Sequence, residues 1–200
     1  MSKGFIEEIA PIIAAEAKLR GYKYPSAIIA QACLESKYGK SQLSSKYHNY
    51  FGLKCGGFWR GRSVNMKTSE EYTKGTSVMI RDNFRVYESM AEGVKGYFEF
   101  IQTSRYANLK TAKSSKNYLE LIKADGYATS STYVKNVYAV VEKYNLTQYD
   151  SDTPVKAEVD IEAIARDVIS GKYGNGKERK EKLGDLYPQV QKKVNELLKK

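Results

Sequence analysis

The chain is poor in the residues that most often build a reactive centre. Its 200 residues hold two cysteines (Cys33 and Cys55), one histidine (His48), one tryptophan (Trp59) and four prolines. Two cysteines are too few for a disulfide framework. With no Cys-x-x-Cys pair and a single histidine, neither a metal site nor another cofactor is expected. Cys33 reads as a helix-packing residue and Cys55 as a loop thiol, and a bridge between them stays open. No stretch approaches the roughly 18 apolar residues of a membrane span, so stable membrane insertion is not expected. The start, Met1-Ser2-Lys3-Gly4-Phe5-Ile6-Glu7-Glu8, carries acids where a secretory leader needs an apolar core. The expectation is therefore a protein made in the cytoplasm without a signal peptide. No run of basic residues forms a tail, so the net charge of +10 does not single out nucleic acid, which is not an expected partner. The charge fits an acidic partner in general, along with solubility and steering. Oligomeric state is left open.

Against these shortages stands one surplus. There are 17 tyrosines beside 6 phenylalanines. Tyrosine joins a flat apolar face to a hydroxyl, which suits a surface that stacks on and hydrogen-bonds a sugar. A Lys-, Tyr- and Ile-rich, Pro-poor composition bias produces the same count. The remaining composition, 42% hydrophobic and 28% charged, is that of a globular chain.

In chain order, residues 3–20 alternate at helical spacing and close at Gly21, with Pro11 expected to kink or divide that helix. Residues 24–39 form the stretch that organises the rest. Pro25 suits a first helical position and Gly39 the left-handed position just past a helix end. Ile28, Gln31, Ala32 and Glu35 share one face, and Ile29, Ala30, Cys33 and Leu34 cover the adjoining side. A helix this apolar is buried, and an acid near its end is partly desolvated, which raises a carboxyl pKa. A Glu held protonated near neutral pH is what a general acid needs. The competing reading is a Glu in a surface salt bridge.

Downstream, Asn49-Tyr50-Phe51-Gly52-Leu53-Lys54 makes an aromatic turn, followed by a glycine-rich loop carrying Trp59. Residues 63–86 read as a β-hairpin turning at Lys74-Gly75, with the acids Glu70 and Glu71 inside it. Ser89 and Glu92 stand at capping-box spacing before Val94, Tyr97, Phe98 and Ile101. Helices are expected near 116–123 and 133–144. Residues 147–158 read as a linker, and 159–200 as a small three-helix module whose forty residues make a marginal core. The expected fold class is mainly α, an α+β domain over 1–146 with a small hairpin lobe, followed by that module.

Three motifs in order carry a resemblance. The run Ala30-Gln31-Ala32-Cys33-Leu34-Glu35-Ser36-Lys37-Tyr38-Gly39 resembles the catalytic helix of the bacterial endo-β-N-acetylglucosaminidases of glycoside hydrolase family 73. The turn at 49–54 is similar to that family's Asn-x-Phe-Gly-x-Lys. Thr68-x-Glu70, Phe84-Arg85-Val86-Tyr87 and Gly126-Tyr127-Ala128-Thr129 with Tyr133 are similar to its further landmarks. The resemblance implies a lysozyme-like fold with the glycan lying between helical body and hairpin. It implies Glu35 as general acid, Glu70 (alternatively Glu71) as second carboxylate and Tyr127 as active-site tyrosine. It further implies Asn49, Phe51, Gly52, Trp59 and Tyr133 as substrate-binding residues. Ser130-Ser131 stands where the family usually carries Asp-Pro. Stereochemistry stays open between water activation, a nucleophilic carboxylate and attack by the substrate's own acetamido group.

The end of the chain, Ile164-Ala165-Arg166-Asp167 through Arg179 and then 190–198, resembles the Cpl-7-type cell-wall-binding repeat of some phage lysins. There the implied binding residues are Arg166, Asp167, Tyr173, Asn175, Arg179, Gln191 and Asn195, with Tyr173 replacing a common Trp. The implied partner is bacterial peptidoglycan. The implied activity is cleavage of the β-1,4 bond on the reducing side of N-acetylglucosamine at the cell wall, in the setting of a phage lysin. A non-catalytic wall-binding or tail-scaffold protein with the same fold is the rival reading.

Overall fold

The computed structural model describes residues 2–57, 59–73, 76–150 and 161–198. The chain divides into two compact units, residues 1–155 and 156–200, and each is described by itself.

The larger unit is built around one buried helix. Helix α1 (Ser2–Arg20) lays Phe5, Ile6, Ile9, Ile13 and Ala17 against it and runs unbroken through Pro11, correcting the expected division. Pro11 stands on the exposed side, where the backbone carbonyl it leaves without an N–H partner faces water. Helix α2 (Pro25–Glu35) is buried at every position from Pro25 to Cys33. It packs against α1, against α5 (Ser115–Ala124) and α6 (Tyr133–Lys143), and against a 3-10 turn, Leu146–Tyr149. A helix with no polar face has to be surrounded, so α2 fixes the positions of its neighbours.

Both ends of α2 are set by side chains. At its N-terminus the Asp150 carboxylate accepts from the Ser26 N–H (2.8 Å) and from the Ser26 hydroxyl. Asp150 and Leu146–Tyr149 therefore belong to this folded unit, which moves the start of the expected linker from 147 to beyond 150; the remainder of that linker lies outside the described residues. At the C-terminus Ser36 bonds back to the Ala32 carbonyl, and the helix stops at Glu35, four residues before the expected Gly39. Lys37, Tyr38 and Gly39 then take left-handed backbone angles in succession. A Cβ on Gly39 would lie 2.7 Å from the Phe5 ring, so glycine is needed there both for its φ and for the approach of α1.

The short helix α3 (Gln42–Tyr47), capped by Ser41, leads into the aromatic turn. Strands β1 (Ser63–Thr73) and β2 (Thr76–Arg85) form the antiparallel hairpin, paired Val64 to Phe84 and Thr68 to Ile80, with an irregularity between Glu71 and Thr73. The turn expected at Lys74-Gly75 lies outside the described residues. The hairpin base is tied to the body by backbone bonds from Cys55 to Asn83, Arg85 to Leu53 and Tyr87 to Tyr47. Helix α4 (Met90–Ile101) starts as expected: the Ser89 hydroxyl accepts from the Glu92 N–H, and the Glu92 carboxylate reaches back to the Glu88 N–H. A 3-10 segment, Ser104–Thr111, joins α4 to α5.

The smaller unit holds α7 (Ile161–Ile169), α8 (Gly176–Leu183) and α9 (Tyr187–Leu197). Its core is Ala165, Val168, Leu183, Val190 and Val194. Both cysteines of the chain are free, Cys33 buried in α2 and Cys55 half-buried at the hairpin base. No helix among the described residues is long and apolar enough to cross a membrane.

Candidate active site

Glu35 is the last residue of α2, where the negative end of the helix dipole already disfavours a carboxylate. By area the residue is exposed, yet desolvation by the surrounding protein raises its carboxyl pKa from 4.5 to about 7. Both hold for a group in an open groove: one edge is wet, and the rest is crowded by protein. The wet edge moderates the rise, and the chemistry needs only its direction. Among the described residues no hydrogen bond or ion pair engages the Glu35 carboxyl, so the salt-bridge reading has no partner to rest on.

What crowds Glu35 is the aromatic turn on one side and the tyrosines of the 126–133 segment on the other. A Cβ on Gly52 would sit 3.7 Å from Glu35 Oε2, and Gly52 holds φ +65°. Burial first, and then the charge of Glu35, pushes the hydroxyls of Tyr127 and Tyr133 well above their ordinary pKa. Both remain protonated donors. Tyr127 donates to the Phe51 carbonyl (2.7 Å), which fastens the tyrosine segment to the turn despite the Ser130-Ser131 replacement. The Phe51 ring stacks on Tyr97 with centroids 4.0 Å apart. Trp59 lies half-buried beside the hairpin base, with the Arg85 guanidinium 4.8 Å from its ring and Phe100 on that cation's other contact.

The structure thus brings Glu35, Phe51, Gly52, Tyr127 and Tyr133 together. Asn49 takes a different place. It is 2% exposed, and its side-chain N–H groups donate to the carbonyls of Leu53 and Arg85 (both 2.9 Å) while its carbonyl accepts from the Leu53 N–H. Its amide clamps the turn to the hairpin base, and no amide hydrogen is left for a sugar. For Glu70 and Glu71 the strand register is described, opposite Val78 and Ser77, and their side chains lie outside the described ones. Among the described residues no cluster of His, Cys, Asp or Glu has the make-up of a metal site. Two shallow depressions of about 300 Å³ and 290 Å³ lie elsewhere, at Tyr22–Lys110 and on the hairpin, and neither includes the carboxyl.

Sequence reasoning gave no role to Gln31, Tyr97 or Tyr118, although Gln31 stands one helical turn before Glu35 on the same face. The Gln31 side chain is fully buried and joins Tyr133 (2.7 Å) to Tyr97 (2.8 Å), and Tyr97 joins Tyr118 (2.9 Å).

In the smaller unit Arg179 donates to the Gly174 carbonyl, to Asn175 Oδ1 and to Gln191 Oε1, and Gln191 donates in turn to Asn195. Asn175, Arg179, Gln191 and Asn195 therefore form one polar cluster. Arg166 and Asp167 are engaged in separate pairs, with Glu162 (2.8 Å) and Lys172 (2.6 Å). Tyr173 packs on the unit's apolar core.

Residues 10–146 match the family described as mannosyl-glycoprotein endo-β-N-acetylglucosaminidase, and residues 162–198 match a CW_7 repeat. The exo-glucosaminidase LytG of Bacillus subtilis (strain 168) is 37% identical over 149 residues, covering 72% of this chain and 52% of its own. A probable N-acetylmuramidase of Lactococcus lactis subsp. cremoris is 35% identical over 157 residues, covering 74% of this chain and 35% of its own. The chain thus spans about half, or about a third, of the length of these relatives. Among solved structures, the catalytic domain of the autolysin Auto from Listeria monocytogenes superposes with TM-score 0.62 at 33% identity, over 74% of this chain and 87% of that one.

Proposed function

Because the chain belongs to this glucosaminidase family, we propose that it is a peptidoglycan hydrolase, with Glu35 donating the proton to the glycosidic oxygen. The observation that carries the reading is an unpartnered carboxyl whose pKa is raised by desolvation to about 7, at a helix C-terminus beside two protonated tyrosines. As the glycosidic bond breaks, the leaving oxygen takes up a proton and positive charge builds at the anomeric carbon. A group ionising near neutrality holds its proton until that moment, then becomes the carboxylate that faces the cation.

The second carboxylate is assigned to Glu70. Strand residues alternate between faces, and Glu70 keeps the parity of Val64, whose partner Phe84 is buried. Glu71 has the opposite parity. The CW_7 repeat supports attachment to the wall through the Arg179 cluster. Action at the cell wall in the setting of a phage lysin completes the reading.

The substrate bond is the β-1,4 linkage on the reducing side of N-acetylglucosamine. The relatives' names divide between glucosaminidase and N-acetylmuramidase, so the test reads the bond directly. Purified peptidoglycan is digested, the products are reduced with borohydride, and the new alditol is identified. Glucosaminitol is expected, and muramitol would move the cut to the other linkage. Undiminished activity of Glu35→Gln would remove the proposed acid.

A further inference from the structure

Beneath Glu35 lies a run of buried hydroxyls and one amide whose protons have only two consistent arrangements. Tyr118, Tyr97 and Gln31 are each at most 1% exposed, and Tyr133 is 8% exposed. The contacts run Tyr118 to Tyr97 (2.9 Å), Tyr97 to Gln31 (2.8 Å) and Gln31 to Tyr133 (2.7 Å). A phenol has one hydrogen to give, and an amide has a donor end and an acceptor end, so fixing one bond fixes them all.

In the first arrangement Tyr118 donates to Tyr97, Tyr97 donates to Gln31 Oε1, and Gln31 Nε2 donates to the Tyr133 oxygen. Both hydroxyl hydrogens of the innermost tyrosines, Tyr118 and Tyr97, are then bonded. The hydrogen left over belongs to Tyr133, and no acceptor takes it among the described residues. In the reverse arrangement Tyr133 gives its hydrogen inward, and the orphan becomes the Tyr118 hydroxyl hydrogen. Tyr118 sits in the dry core of the unit, where an unmatched donor is strongly disfavoured and no other partner meets it. The first arrangement wins because it leaves its spare hydrogen at the end beside Glu35.

We propose that Gln31 is a positioning residue that sets the direction of this chain, so that Tyr133 presents its hydroxyl hydrogen to an acceptor oxygen of the N-acetylated sugar bound beside Glu35. This rests on the glycosidase reading above. The helix itself supplies the geometry: Gln31 and Glu35 are separated by one turn of α2, so one rigid element places the proton donor and orients its neighbour. An acceptor oxygen that gains negative charge during bond cleavage is held more tightly in the transition state than before it, so the donor acts mainly on kcat.

The test is a double-mutant cycle on the full chain, following release of reducing ends from purified peptidoglycan, with circular dichroism confirming the fold of each variant. Tyr133→Phe is expected to lower kcat about 10-fold or more while KM stays within about threefold. Gln31→Met removes the amide that orients the hydroxyl and is expected to lower kcat in the natural background. In the Tyr133→Phe background it is expected to add less than a twofold loss. Tyr133→Phe with kcat within twofold of the natural chain overturns the proposal, as does an equal effect of Gln31→Met in both backgrounds. If Gln31→Met does not fold, the Tyr133→Phe result decides alone. Glu35→Gln run beside them separates the two levels. An active Glu35→Gln defeats the general-acid reading, whereas an inactive Glu35→Gln with a fully active Tyr133→Phe defeats only the role of the Gln31 chain.

Discussion

Replacing Asn49 by alanine separates a scaffold role from a sugar contact. The family resemblance implies a substrate-binding residue, and the structure gives its amide three backbone partners. Their fates differ on truncation. The Leu53 carbonyl keeps the Arg85 N–H at 3.0 Å, so it is not orphaned. Among the described residues the Leu53 N–H has no second acceptor, and it lies in a residue 3% exposed. The Arg85 carbonyl belongs to a half-buried residue and recovers part of its loss from water. One orphaned buried donor and one partly compensated acceptor together amount to about 3 kcal/mol. For a unit of this size that corresponds to a fall in Tm of about 6–12 °C. Differential scanning calorimetry of the larger unit's transition reads the fall, and steady-state digestion of peptidoglycan at a temperature below both transitions reads KM. The expected outcome is a large loss of stability with KM changed less than about twofold, because Asn49 reaches no solvent. Asn49→Asp keeps the acceptor but sets a carboxyl oxygen against the Leu53 and Arg85 carbonyls, so it is expected to cost at least as much as alanine. A Tm within 2 °C of the natural chain together with a several-fold rise in KM would refute the clamp and restore a direct sugar contact.

The pH dependence of Glu35 gives two outcomes of opposite sense. A general acid works only while protonated, so kcat/KM is expected to hold below pH 7 and to fall as pH rises through about 7, and a pH–rate profile checks it. For stability, the folded pKa lies above the unfolded value of 4.5, so the folded state binds more protons between those values and stability falls as pH rises from about 4.5 to 7. Glu35→Gln therefore removes that loss, with Tm raised at pH 8 and nearly unchanged at pH 4 in thermal melts at both pH values. Asp150→Ala removes the carboxylate that caps α2 through Ser26 and is expected to cost about 1 kcal/mol, read as a lowered urea midpoint. A chain ended at residue 146 loses the same cap. In Gly93→Ala the new Cβ would stand 2.0 Å from the His48 backbone oxygen, so α4 has to move off the turn that leads to Asn49; the expected cost is about 3 kcal/mol, read by the same urea titration.

The elements that can be read from the sequence are those whose cause is local. Pro25, the apolar run behind it and Ser89 with Glu92 each act within a few residues, and α2 and α4 begin where those signals stand. The hairpin is legible from alternation, and the first and last helices of the smaller unit from their apolar stripes, whereas α8 offers only Leu183. Helix α3 has six mostly polar residues and no apolar stripe, so only its Ser41 cap marks it. Gly39 is a strong stop signal, yet α2 ends sooner, where the Ser36 hydroxyl bonds back to the Ala32 carbonyl and accepts from the Gly39 N–H, side-chain choices that composition does not announce.

Causes that span the chain stay hidden. The α2 cap comes from a carboxylate 124 residues away, inside a stretch whose polar composition reads as linker. The same separation in kind hides the candidate site's inner layer. Spacing alone puts Gln31 on the face of Glu35, but the hydroxyls it joins come from α4, α5 and α6, brought together where the largely apolar, buried α2 is enclosed. The burial that closes the core around α2 is thus also what desolvates Glu35 at its end and what makes the direction of the tyrosine chain decisive. A more polar α2 would have left Glu35 an ordinary surface acid, so the run of apolar residues before it is as much a part of the candidate chemistry as the carboxyl itself.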